Sequence, residues 1–161
     1  MREWTEARAG GFDCVVDSSV GIKLCLKEPL SERADTLFSH LVDDPPAEFY
    51  VPDLFFVECA NILWKYAHRF GYAFEAALRD VRDLTRLPFQ IVSTAALAEE
   101  ALGLAVDYEV TAFDAAYVAL ARRLELGLVT ADERLVDCFA EADVDVWHLS
   151  GLQGSDAEAR A

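Results

Sequence analysis

Short apolar runs rich in β-branched residues alternate along this chain with longer stretches whose apolar positions recur every three or four residues. The first pattern predicts buried strands, and the second predicts helices that lay one face on them. Residues 13–17, centred on Cys14-Val15-Val16, read as the first strand. Residues 49–51, 89–92, 127–129 and 144–147 read as four more. Helices are predicted over residues 20–27, 31–42, 53–70, 72–86, 95–106, 112–124 and 132–140. Gly71 closes the longest of them, and Pro45-Pro46 and Pro88 interrupt the helical pattern. Apolar strands alternating with helices predict an α/β fold. It is a three-layer α/β/α sandwich around a central parallel sheet of about five strands. Residues 12–150 form the predicted domain, preceded by a leader (1–11) that ends at Gly10-Gly11 and followed by a polar tail (151–161).

Composition narrows the class. A chain of 161 residues that is 53% hydrophobic suits one domain with a substantial core. Charges interrupt every apolar run short of a membrane span, and residues 1–10 carry no apolar signal region, so a cytoplasmic protein is expected. Cys14, Cys25, Cys59 and Cys138 lie in apolar contexts without metal-binding spacing and read as buried, reduced thiols. His40, His68 and His148 are dispersed and form no zinc motif. The net charge of −15 opposes long-range attraction to nucleic acid, and it favours a basic partner or reflects a salty cytoplasm.

Four acidic residues stand in apolar surroundings. Asp17 ends the first strand, Glu58 interrupts Leu54-Phe55-Phe56-Val57, Asp114 opens Ala115-Ala116-Tyr117-Val118, and Asp132 follows Leu128-Val129-Thr130-Ala131. Isolated carboxylates in such settings are costly unless compensated, and several at one spot call for a cation. In parallel sheets ligands bind beyond the carboxyl ends of the strands. Asp17 and Asp132 fall just past strand ends, and Asp114 and Glu58 lie in early turns of helices that meet the same edge. A hard divalent ion with oxygen ligands is the simplest compensation, and it points to chemistry on phosphates.

Each acid also has an ordinary reading. Asp17 reads as a helix N-cap before Ser18-Ser19. Thr111 and Asp114 fit a Thr-x-x-Asp cap, and Thr130 with Glu133 fits a capping box that leaves Asp132 as a first-turn acid. Glu58 shares a stripe with Asn61, Lys65 and Arg69, at spacings of three and four, on an otherwise apolar helix. That stripe either faces solvent or borders a cleft. The joint occurrence of all four acids at one end of the sheet favours a shared site. Arg79, Arg82 and Arg86 form a second basic face, which reads equally as a groove for a nucleic-acid backbone and as a solvated surface with pairs such as Glu75 to Arg79.

Taken in order, Val15-Val16-Asp17-Ser18-Ser19, Glu58 with Asn61, Asp114-Ala115-Ala116-Tyr117-Val118-Ala119-Leu120-Ala121 and Leu128-Val129-Thr130-Ala131-Asp132-Glu133-Arg134-Leu135 resemble the acidic motifs of PIN domains. The chain is most similar to the VapC-type toxins of toxin–antitoxin pairs. The resemblance implies an endoribonuclease dependent on Mg²⁺ or Mn²⁺ that leaves a 5′-phosphate and a 3′-hydroxyl. It implies Asp17, Glu58 and Asp114 as metal ligands and catalytic residues, with Asp132 completing the pocket directly or through a water. Ser18, Thr130 and Asn61 take supporting positions around them. RNA is the implied substrate, with Lys65, Arg69, Arg79, Arg82 and Arg86 as candidate contacts. A homodimer, with apolar faces around Phe55, Trp64 and Phe74, and an antitoxin with a basic C-terminal segment are the implied partners. The alternatives are a catalytically silent PIN-like binding module and a PIN nuclease outside toxin–antitoxin systems. A receiver-like protein lacks its late lysine, since none follows Lys65. A haloacid-dehalogenase-type phosphatase lacks its Asp-x-Asp, and a P-loop enzyme lacks its glycine-rich motif.

Overall fold

Five strands, β1 (Cys14–Val16), β2 (Phe49–Pro52), β3 (Gln90–Val92), β4 (Gly127–Thr130) and β5 (Val146–His148), form one sheet in the spatial order β3-β2-β1-β4-β5. Every pairing is parallel, with Cys14 opposite both Phe49 and Gly127. The computed structural model describes residues 12–152. β1 and β4 are buried along their whole length, as inner strands must be when helices cover the sheet. The expected α/β sandwich with five parallel strands is therefore the observed fold.

The helices are α1 (Ser18–Gly21), α2 (Ser31–Ser39), α3 (Leu54–Phe70), α4 (Phe74–Leu84), α5 (Thr94–Tyr108), α6 (Ala112–Leu124) and α7 (Glu133–Cys138). Two predicted helices give way to 3-10 turns short of their expected ends, and those expected over 72–86 and 132–140 are trimmed to α4 and α7. The helix expected over 20–27 starts at Ser18 and tightens into a 3-10 turn, Ile22–Leu24, ahead of Pro29. The helix expected over 31–42 gives way to a 3-10 turn at His40–Val42, which leads to the extended Asp43 before Pro45-Pro46. Such turns satisfy the last carbonyls where a helix must stop. Gly71 takes the left-handed conformation at the end of α3, with φ of 68°.

α6 packs against β1, β2 and β4, and α5 covers it. Residues 115 to 121 of α6 are all buried, and four of them are alanines that let the helix lie close to the strands. Phe55 is fully buried, edge-on to Phe56 and Phe89 at 5.3 Å each. It belongs to the core and so cannot supply the apolar surface expected of it. Trp64 and Phe74 are 59% and 63% exposed. Cys14 and Cys59 are buried free thiols, whereas Cys25 and Cys138 are free but only partly covered. The expected leader (1–11) and residues 153–161 of the expected tail lie outside the described residues. Leu152 is buried, and its carbonyl accepts a hydrogen bond from the Arg33 guanidinium. Among the described residues no helix is long and apolar enough to cross a membrane.

Two glycines permit close approach. A Cβ at Gly127 would lie 1.9 Å from the Trp147 ring, and one at Gly21 would lie 2.4 Å from the Phe55 ring. Gly127→Ala is expected to lose about 1–3 kcal/mol of stability, the usual cost of overpacking. Urea unfolding measures this, and an unchanged midpoint would contradict the packing of Trp147 over β4.

Candidate active site

β1 ends one residue before Asp17, and β4 ends at Thr130, its neighbour across the parallel pair. The Asp17 amide donates to the Val129 carbonyl at 3.0 Å, which fixes the two strand ends together. Chain order in the sheet reverses between β1 and β4, the place where doubly wound sheets open a crevice. Asp17 occupies the N-cap position of α1, yet its side chain makes no capping hydrogen bond. The capping reading of Asp17 is thus set aside.

Its carboxylate faces hydroxyls instead. Ser19 Oγ and Thr130 Oγ1 both donate to Asp17 Oδ2 at 2.6 Å, and Ser18 Oγ approaches Oδ1 at 3.4 Å. Each of the first two hydroxyls also accepts from a backbone amide, Ser19 from Ala131 at 2.9 Å and Thr130 from Asp132 at 3.1 Å. Asp17 is only 6% exposed. Desolvation pushes its pKa above the ordinary carboxylate range, and the nearby charge of Asp114 adds to this. The Ser19 and Thr130 hydrogen bonds oppose the shift without cancelling it.

Glu58 lies in the second turn of α3, which leaves the carboxyl end of β2. Tyr117, fully buried on α6, donates its hydroxyl to Glu58 Oε2 at 2.5 Å. Burial raises the Glu58 pKa first, and the charges of Asp17 and Asp114 raise it further against the Tyr117 hydrogen bond. Asp114 stands one turn before Tyr117 on α6. The expected Thr-x-x-Asp cap is present there: Thr111 Oγ1 accepts from the Asp114 amide at 3.1 Å and donates to Asp114 Oδ2 at 2.7 Å. Asp17, Glu58 and Asp114 therefore act on one another electrostatically, and each has one oxygen held by a hydroxyl.

Asp132 is placed differently. It is the N-cap of α7, and its Oδ1 accepts from the Arg134 amide at 2.9 Å. The expected Thr130–Glu133 capping box does not form, because Thr130 turns its hydroxyl to Asp17. Asp132 joins the site through its own amide on Thr130, and it is not among the charges that shift Asp17 or Glu58.

Among the described residues no ion pair reaches Asp17, Glu58 or Asp114, and no three His, Cys, Asp or Glu side chains are already drawn into a metal cage. The donor chemistry nonetheless suits a hard divalent cation: uncompensated carboxylates surrounded by hydroxyls. Cys59, beside Glu58, brings no thiolate. Burial pushes its thiol up, and its Sγ lies 3.9 Å from the Ser18 carbonyl.

The PIN domain family profile matches residues 14–143. The chain belongs to the PIN domain family. Ribonuclease VapC3 of Pyrobaculum aerophilum is 34% identical to it over 127 residues, spanning 78% of this chain and 93% of that protein. A crystal structure of a Pyrobaculum aerophilum protein aligns with a TM-score of 0.64 at 24% identity, covering 93% of this chain and 94% of the other. A toxin–antitoxin complex from Klebsiella pneumoniae aligns with a TM-score of 0.59 at 19% identity, covering 85% and 98%. At these identities the two structures speak to the shared fold.

Asn61, Lys65 and Arg69 are exposed along α3, and Arg79, Arg82 and Arg86 are exposed on or just after α4, which packs against α3. The expected Glu75–Arg79 pair is absent among the described residues, and Arg86 pairs with Asp83 at 3.2 Å. Ser19 and Tyr117 were given no role by sequence reasoning. Ser19 was legible as a second hydroxyl after the strand-end acid. Tyr117 was legible as the one polar tip, a turn after Asp114, in a run of Ala, Val and Leu.

The raised pKa values set the sign of a pH effect. Between the ordinary carboxylate pKa and the raised one, the folded state binds more protons than the unfolded state. The stability from Asp17 and Glu58 is therefore full below the ordinary value and lost as pH rises through the raised one. Asp17→Asn in metal-free buffer should gain stability over wild type at pH 7.5, with the gain shrinking towards pH 4, as read by urea midpoints. A difference independent of pH would contradict the burial of an uncompensated Asp17.

Proposed function

We propose that this PIN domain is a divalent-metal-dependent endoribonuclease and the toxin of a toxin–antitoxin pair. The observation that carries the reading is the mutually repelling trio Asp17, Glu58 and Asp114, without a cationic partner among the described residues, at the sheet's switch point. The 34% identical relative bears the name ribonuclease VapC3, which supports RNA as substrate. The similarity to a toxin–antitoxin complex supports an antitoxin partner.

In this reading Asp17, Glu58 and Asp114 hold Mg²⁺ or Mn²⁺, and Asp132 completes the pocket across Thr130, directly or through a water. When bound, the ion supplies a water of lowered pKa and positive charge for the phosphate. Ser19 and Thr130 keep Asp17 facing the crevice, and Ser18, within reach of Asp17 and Glu58, orients water or phosphate at its edge. Asn61 supports Glu58 from the next turn of α3. Hydrolysis adds water across the P–O3′ bond and leaves a 5′-phosphate and a 3′-hydroxyl. Lys65 and Arg69 continue from Glu58 along α3, and with Arg79, Arg82 and Arg86 they give an acidic protein a local path for the RNA backbone. The chain acts as a homodimer in the cytoplasm. A basic C-terminal antitoxin segment complements its charge of −15 and places a cation against the acidic pocket.

Asp17→Asn and Asp114→Asn should each lower RNA cleavage about 10³-fold, as loss of several kcal/mol of charge stabilisation implies, while the protein stays folded. Cleavage of a labelled RNA by the purified variants at wild-type rates would defeat the assignment and leave a binding module. Joint substitution of Arg79, Arg82 and Arg86 by Ala should flatten the log–log salt dependence of RNA binding by about 2, at roughly 0.7 per single-strand phosphate contact. An unaltered slope would remove that face from the RNA path.

A further inference from the structure

We propose that Tyr117 is a positioning residue that holds the Glu58 carboxylate in the orientation the site requires. The inference rests on the functional reading above in taking Glu58 as an ion ligand. The observation is a single hydrogen bond between distant parts of the chain: Tyr117 Oη donates to Glu58 Oε2 at 2.5 Å from a side chain with no exposed surface. Glu58 reaches the site on a long, flexible side chain from a helix flank, unlike Asp17, which two hydroxyls fix at a strand end. The Tyr117 ring is immobilised in the core between α6 and the sheet, so its hydroxyl is a fixed point. By occupying Oε2 it restricts the carboxylate to rotamers that keep this bond, while Asp17 and Asp114 act on Glu58 electrostatically and Ser18 is a second hydroxyl within its reach. α6 thereby supplies the site twice, directly through Asp114 and indirectly through Tyr117 one turn later. Thr111 serves Asp114 in the same way, so each of the three acids has a hydroxyl holding one oxygen. Hydrogen-bond partners behind ion ligands typically change affinity by about 10- to 100-fold when removed.

Tyr117→Phe keeps the ring and deletes only the donor. In the metal-free protein, three-bond carbon couplings of selectively labelled Glu58 should report one side-chain rotamer in wild type and averaged rotamers in the variant. Mn²⁺ alone, titrated by calorimetry, should bind the variant about 10- to 100-fold more weakly. In a Glu58→Ala background the same substitution should cause no further loss. Couplings that stay unaltered, affinity within two-fold of wild type, or undiminished loss in the Glu58→Ala background would each overturn the proposal. If wild type takes up no Mn²⁺, the metal reading of the function fails by itself, and the couplings alone decide the role of Tyr117.

Discussion

The burial of Asp17 is the constraint around which the site is arranged. An acid nearly sealed from water, at the junction of two central strands, loses hydration that must be replaced. The chain replaces it with hydroxyls polarised by backbone amides rather than with a lysine or arginine. Hydroxyls orient the carboxylate and recover part of the lost solvation, but they leave its negative charge in place. Desolvation and the nearby Asp114 then outweigh them, and the carboxyl holds its proton more tightly than usual. Glu58 repeats the arrangement with Tyr117. A pocket built this way has oriented donors and an unmet demand for positive charge, which is the condition for taking up a small cation.

The sheet topology brings these groups to one place. Parallel strands all point their carboxyl ends to one edge, and the order β3-β2-β1-β4-β5 sends the chain away from β1 on both sides. Asp17 and Thr130 therefore meet across a strand pair although they are far apart in sequence. α6 completes the site because its alanine-rich face can settle against three strands. That packing buries Tyr117 fully, with its hydroxyl in reach of Glu58 on α3, one turn after Asp114. A bulkier helix would stand further off, and its tyrosine would not reach α3.

Charge is distributed unevenly. Arg122 and Arg123 are engaged by Glu100 and Asp143, and Lys23 by Glu28. Lys65, Arg69, Arg79 and Arg82 form no ion pair among the described residues, and all lie exposed on α3 and α4. A net charge of −15 thus coexists with exposed cations along α3 and α4 that remain available to a polyanion or to acidic groups of a partner.

Most of the framework could be read from residues alone. The alternation of buried strands and amphipathic helices is a local property, because burial on both faces demands continuous apolar runs and burial on one face demands a helical period. Asp17, Glu58, Asp114 and Asp132 stood out for the same reason, as charges where the pattern calls for apolar groups. Helix ends at residues 22–24 and 40–42 were less legible, since tertiary packing and downstream prolines decide them. What the sequence could not determine was pairing between distant hydroxyls and acids. Thr130 looked like a cap for α7, and only the β1–β4 register, which sets it beside Asp17, gives its proton to that carboxylate and leaves the capping to Asp132. Phe55 looked like a surface aromatic beside Trp64, and only the packing of α3 over Gly21 sends it to the core. Side-chain character is written residue by residue, but a hydrogen bond across 59 residues, such as Tyr117 to Glu58, exists only once the sheet has set two helices side by side.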